Sequence, residues 1–244
     1  MQRKHFLKNS IGLLSAAVLI DSCKKTDVGG TTTPTTTTGG STGSCLVAPS
    51  ETEGPYPYPG GEITNPLNRS DITGGQTGVP LTLKFTLVNT NQNCTILTGY
   101  RIDIWHCNAK GYYSGYGNQP GINGTLNYVG STWLRGYQTT DVNGKVVFTT
   151  IYPGWYASRA THFHFEVFNG TALVKTGQLT LPETISDAIH IHLTSGYNVS
   201  INTTRNAADN VFGNPATDLA NQTMAVTGSI TAGYSASHTI GVAV

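Results

Sequence analysis

The chain has 244 residues, charged side chains make up only 11% of it, and the formal net charge is +1. That balance excludes a basic nucleic-acid face and an acidic block awaiting a cationic partner. Gly, Thr, Asn and Tyr dominate instead, the composition of short strands joined by turns.

The chain opens as an export leader. Arg3, Lys4 and Lys8 precede the apolar run Ile11 to Ile20, which is too short to cross a bilayer as a mature helix. Ser22-Cys23 resembles a bacterial lipobox. Residues 1–22 are thus expected to be a lipoprotein-type signal peptide, with Cys23 lipidated and the protein anchored in the cell envelope. The leader suits ordinary secretion, and Arg3-Lys4 also resembles a twin-arginine signal. Residues 23–44 are Thr- and Gly-rich with almost nothing to bury, and are expected to be a disordered tether. The folded domain is expected over 45–244. Outside the cytoplasm two of Cys45, Cys94 and Cys107 can pair. Cys45 with Cys94 is favoured because both stand in turn-like segments, whereas Cys107 is expected inside an apolar strand and reads as a small buried hydrophobe.

Strand signals then recur. Leu81 to Val88 alternates and Asn89 to Asn93 breaks it; Arg101 to His106 alternates before a turn at Asn108 to Gly111. Asp141-Val142-Asn143-Gly144 is a turn leading into Lys145 to Ile151, and His162 to Phe168, Leu173 to Leu181 and Ile189 to Leu193 read as further strands. Helical periodicity is absent beyond a turn near Asn206 to Phe212. The spacing predicts an all-β fold, an antiparallel β-sandwich or barrel.

His162-Phe163-His164 places two imidazoles on one strand face, where both can reach one metal ion. The pattern is not specific, because His190-Ile191-His192 has the same spacing. Periodicity cannot choose between the pairs; their neighbourhoods differ. Pro153-Gly154 marks a turn that would swing Tyr156 back toward the strand of His162, and Arg159 stands three residues before that histidine. Farther upstream, Asp103-Ile104-Trp105 runs into the Gly- and Tyr-rich segment Gly111 to Tyr116.

The order D-x-W, G-x-Y, T-I-x-P-G-x-Y and R-x-x-H-x-H, across about residues 45–240, resembles the intradiol ring-cleaving dioxygenases, which include the catechol, hydroxyquinol and protocatechuate enzymes. Glu53-Gly54-Pro55-Tyr56, Leu134-Arg135-Gly136 and Gln178 also look like that family. The resemblance implies a sandwich whose long loops form the active site, and a non-haem iron(III) ion held by Tyr113, Tyr156, His162 and His164. It implies that Arg159 and Tyr156 act in catalysis, with Tyr56, Arg159 and Gln178 lining the substrate. The implied reaction cleaves a catechol-type ring between its two hydroxylated carbons with O2, giving a muconate-type diacid. Tyr112 and Tyr116 flank Tyr113 and are the alternatives for the first phenolate. His190 and His192 are assigned to packing or surface in the light of the resemblance, His106 to structure, and His238 to neither site. The catechol branch carries a long helical region before its sandwich. A tether stands there in this chain, so the protocatechuate-type core or an exported single-domain enzyme is the nearer likeness.

Two phenolates, two neutral imidazoles and a hydroxide would balance the charge of iron(III), a hard ion favoured by anionic oxygen donors. A neutral centre is cheap to bury. Two rivals stand beside this reading. One is a surface-anchored sandwich that binds glycans or proteins without catalysis. The other is an iron(II) oxygenase using two histidines and a carboxylate, for which Glu166 shares the strand face of His162 and His164. No nucleic-acid partner is expected, the membrane is reached only through the lipid anchor, and oligomerisation is left open.

Overall fold

The computed structural model describes residues 45–64, 67–192 and 196–244. The leader and the tether expected over residues 1–44 lie outside them, as does Leu193.

Alternating apolar residues produce the first strand, β1 (Pro80–Asn89), with Leu81, Leu83, Phe85 and Leu87 on its buried side. The chain continues through β2 (Thr95–Ile96), β3 (Arg101–Trp105), β4 (Arg135–Thr139), β5 (Lys145–Ile151), β6 (His162–Asn169), β7 (Ala172–Thr180), the helix α1 (Glu183–His190), the short helix α2 (Leu219–Gln222), β8 (Ala225–Ser229) and β9 (Gly233–Val242). One sheet runs β2-β1-β9-β8, with β5 also paired to β1; the other runs β4-β3-β6-β7. The core lies between them. Leu83, Phe85, Phe148 and Ile240 meet Ile102, Ile104, Phe163, Phe165 and Leu179 in one cluster. Such side chains contribute roughly 1.5–3 kcal/mol each when buried. Strand β6 is buried on both faces along seven of its eight residues, so its outward side chains lie under loops rather than in solvent.

The all-β sandwich is therefore present, with three departures from the sequence reading. First, β1 and β9 run parallel, from Leu81↔Tyr234 to Asn89↔Val242. β9 reaches β1 only after the long excursion beyond β7, so it is no hairpin partner of β1 and is free to take either direction beside it. Second, β4, β8 and β9 were not foreseen, because Arg135–Thr139, Ala225–Ser229 and Gly233–Val242 offer few large apolar residues to alternate. Third, Ile189 to His192 is not a strand. Its start closes helix α1, which buries Ser186, Ile189 and His190.

Cys45 and Cys94 form a disulfide with their Cα atoms 5.5 Å apart. Cys107 is a free, buried thiol.

Candidate active site

One register row crosses the second sheet on its outer face. Arg135 pairs with Trp105, Trp105 with His164, and His164 with Gln178. The period of two puts His162 and His164 on this face and sends Phe163 and Phe165 into the core. Trp105, Cys107 and Tyr113 form a separate small cluster here, with Tyr56 and Tyr156 against it.

Each functional side chain is aimed by its own local structure. After β3, Asn108 accepts the backbone N–H groups of Lys110 (3.0 Å) and Tyr112 (3.1 Å), folding the chain back. Gln119 then grips the Tyr113 backbone at both ends: its oxygen accepts the N–H at 2.7 Å and its amide donates to the carbonyl at 2.7 Å. The Tyr113 phenol stands 3.1 Å from His164 Nε2 and 3.3 Å from His162 Nε2. Its neighbours turn elsewhere. Tyr112 donates to the carbonyl of Gly124 at 2.7 Å, and Tyr116 donates to that of Pro57 at 2.6 Å. From the other side, Gly154 N–H donates to the carbonyl of Asn108 at 3.1 Å, which joins the two loops. The turn at Pro153-Gly154 brings the Tyr156 phenol to 3.5 Å from His162 Nε2.

The two imidazoles face each other with Nε2 atoms 3.0 Å apart. His162 Nδ1 lies 2.6 Å from the carbonyl of Ala160, which can only accept, so Nδ1 carries the proton and Nε2 presents a lone pair. His164 is stacked on Trp105 with ring centroids 5.0 Å apart and planes 6° from parallel. Its Nδ1 is buried with no partner. Burial, with Arg159 second, pushes His162 down to about 3. Burial, with His162 second, holds His164 well below the usual imidazole range. Both rings are thus neutral, the form that ligates metals. Burial pushes the Tyr156 phenol up to about 12 and Tyr113 well above its ordinary value. Only a nearby cation could offset the cost of ionising either phenol here.

Two phenol oxygens and two imidazole nitrogens therefore converge on one point, with neighbouring separations of 3.0–3.5 Å. Metal–ligand bonds of about 2.0–2.1 Å set adjacent donors about 2.9–3.4 Å apart, so the cluster has the span of a single ion's donor set. Among the described residues, no group of three or more His, Cys, Asp or Glu side chains could hold a metal. Glu166, the carboxylate of the iron(II) rival, instead accepts from Thr176 Oγ1 at 3.1 Å.

Arg159 borders the four. It donates to Gln178 Oε1 at 2.6 Å through Nη2, to Asp209 Oδ2 at 2.9 Å through Nε, and to the Tyr156 oxygen at 3.4 Å through Nη1. Tyr56 stacks on Tyr113 with centroids 4.8 Å apart and stands edge-on to Tyr156 at 6.2 Å, forming a wall. Every residue expected at the site is thus in this one cluster.

The competing histidine pair is not. Helix α1 ends at His190 and His192 lies beyond its cap Ile191, so the two do not share a strand face. His190 is buried and donates to the carbonyl of Pro153 at 3.1 Å, whereas His192 is exposed. His106 donates to the carbonyl of Cys107 at 2.8 Å and bonds Thr150 Oγ1 at 2.7 Å, a packing role.

Four contributors escaped the sequence reading. Gln119 lies in a segment with no local pattern, and Asp209 in one read only as a helical turn. Gly54 approaches the His164 ring so closely that a Cβ there would lie 2.8 Å from Cε1. Arg135 is fully buried and donates to the carbonyls of Tyr56 and Ser114, both at 2.9 Å. Like Gly54, it stood in a quoted motif without a role.

Residues 52–194 match the family model described as Dioxygenase. Catechol 1,2-dioxygenase 1 of Acinetobacter lwoffii is 26% identical over 151 residues, covering 54% of this chain and 46% of that protein. The chain thus matches just under half the length of that curated relative. An intradiol ring-cleavage dioxygenase structure from Tetranychus urticae superposes with a TM-score of 0.69 at 25% identity, over 82% of this chain and 95% of that one. The dioxygenase domain of a dioxygenase–carbohydrate-binding fusion from Streptomyces sp. SirexAA-E gives a TM-score of 0.57 at 25% identity, over 82% and 99% of the two chains.

Proposed function

This chain belongs to the intradiol ring-cleavage dioxygenase family, and from that premise we propose that it cleaves a catechol-type ring between its two hydroxylated carbons, using O2 and a non-haem iron(III) ion. The observation that carries the proposal is the convergence of the Tyr113 and Tyr156 oxygens with the Nε2 atoms of His162 and His164. Two anionic oxygens and two neutral nitrogens suit a hard trivalent ion. When bound, iron(III) would supply Lewis acidity toward both catechol oxygens and draw electron density from the ring, opening it to O2.

The chain's own residues do the remainder. Tyr113 is fully buried and fixed by Gln119, so it is the permanent phenolate. Tyr156 is half-buried and at the edge, so it is the phenolate that would take up a catechol proton on its oxygen, becoming a neutral phenol. Arg159 holds a fixed positive charge beside that oxygen, where it stabilises negative charge developing on the ring. Gln178 keeps the guanidinium in that plane. Tyr56 forms one wall against which the ring is placed. The product is a muconate-type diacid. The leader and tether would put this chemistry outside the cytoplasm, on a lipid anchor at Cys23.

The test is to load the purified protein with iron(III) and screen a panel of catechols for O2 uptake and product absorbance. A visible phenolate-to-iron band is expected. His162→Ala should lose the iron. Tyr156→Phe should keep it but bind catechols and turn over more slowly. Colourless wild-type protein without O2 uptake would sink the proposal and favour a non-catalytic surface module.

A further inference from the structure

We propose that Asp209 is a positioning residue for this site, one carboxylate that sets the direction of both the Arg159 guanidinium and the His162 imidazole. Its Oδ2 accepts from Arg159 Nε at 2.9 Å and from the backbone N–H of Ala160 at 2.6 Å. Its Oδ1 accepts from the N–H of Val211 at 2.8 Å and, more weakly, of Phe212 at 3.4 Å. The Asp209 side chain is completely buried. All these partners are donors, so only a group that accepts on both atoms satisfies them; an amide would set its own N–H bonds against one side.

The consequences reach the site along two short routes. The Arg159 fork is held on two sides, Nε by Asp209 and Nη2 by Gln178, which leaves Nη1 directed at the Tyr156 oxygen. Ala160 is anchored through its N–H on Asp209, and the carbonyl on the other side of its Cα meets His162 Nδ1 at 2.6 Å. That bond selects the tautomer whose Nε2 lone pair faces Tyr113, Tyr156 and His164. Asn202 Nδ2 adds a bond to the Arg159 carbonyl at 2.9 Å from the same C-terminal segment. Asp209 thus couples the group that would meet substrate to a group that would meet metal, without touching either ligand. What Arg159 and His162 do rests on the dioxygenase reading; how Asp209 holds them does not.

The test is a cycle in the full chain of Asp209→Asn, Arg159→Met and the double variant. With iron(III) saturating, Asp209→Asn should weaken 4-nitrocatechol binding roughly tenfold or more, and change it less than about twofold once Arg159 is methionine. Iron(III) affinity should fall severalfold in both backgrounds, because the His162 route remains. Equal losses of catechol affinity with and without Arg159, or no loss of either affinity, would overturn the proposal. In metal-free protein the Arg159 Nε–H resonance should be sharp and slow to exchange in wild type and broadened in Asp209→Asn. If wild type takes up neither iron nor catechol, the dioxygenase reading fails, and an unchanged Nε–H signal in the variant then overturns the Asp209 role separately. Should Asp209→Asn not fold, Asp209→Glu replaces it in the cycle. It keeps both acceptors on a longer stem, with the same pattern expected at smaller amplitude; wild-type affinities in that variant would overturn the proposal.

Discussion

Replacing Gly54 with alanine should damage the site from outside the donor set. Gly54 has φ +74°, a left-handed conformation that costs an alanine roughly 1–2 kcal/mol. Its new Cβ would lie 2.8 Å from His164 Cε1, whereas carbon atoms in contact prefer about 3.5–4.0 Å. An overlap of roughly 0.7 Å must be relieved. The His164 ring cannot simply slide away, because it is stacked on buried Trp105. If the loop yields instead, it carries Tyr56 with it, along with the stack on Tyr113 and the Arg135 bond to the Tyr56 carbonyl. Either response moves a group of the site by about half an ångström. We expect a stability loss of about 2–3 kcal/mol, a fall in Tm of about 4–12 °C for a domain of this size, and iron(III) affinity roughly 10–100-fold weaker. Gly99→Ala is the control: φ is +80° and nothing lies within 4 Å of its added Cβ, so it should lose about 1–2 kcal/mol and bind iron normally. Metal-free melts and iron titrations followed by the phenolate band read both effects. The reasoning is refuted if Gly54→Ala behaves like Gly99→Ala.

Other perturbations test the frame around the site. Burial, with Asp103 second, pushes Glu62 up to about 7 from an ordinary value of 4.5. The folded state therefore holds a proton that the unfolded chain has released, and stability should decline as pH rises from about 4.5 to about 7. Burial pushes Glu166 up to about 7 as well, so Glu62→Gln should reduce that slope without abolishing it in urea titrations at pH 5 and 8, and an unchanged slope would reject the assignment. His190→Ala removes the bond to the Pro153 carbonyl and packing against Tyr197. It should cost about 1–3 kcal/mol while iron content stays at the wild-type value. The disulfide closes a separation of 49 residues, for which chain entropy gives about 4 kcal/mol. Converting Cys45 and Cys94 to serine should lower stability by about 2–4 kcal/mol in denaturant titrations.

Strands β1, β3, β5 and β6 were legible because large apolar residues recur at every second position, even though in β3 and β6 the opposite face is buried as well. Strand β4 was not. Arg135-Gly136-Tyr137 carries buried polar groups outward, where the loops rather than water satisfy them. The run Ile189 to His192 alternates as a strand would, yet its first two residues complete a helix begun at Pro182, since Ser186, Ile189 and His190 bury together on one helical side. Within the site, the four side chains that converge were singled out by the family motifs; a shared strand face alone could not separate His162 and His164 from His190 and His192. Asp209 was not singled out, because its partner Arg159 is 50 residues away and no periodicity marks the encounter. Long-range polar pairing leaves no local trace.

Strand β6 interleaves two inventories, imidazoles on odd steps of the chain's path outward and phenylalanines on the steps between. A slip of one residue against β3 or β7 would drive both histidines into the sandwich and present Phe163 and Phe165 to the phenols. No partly working intermediate lies between those arrangements. Under the proposed function, a chain that has paired β6 wrongly could not gather the four donors, so uptake of the ion would report that the sheet has closed in the correct register.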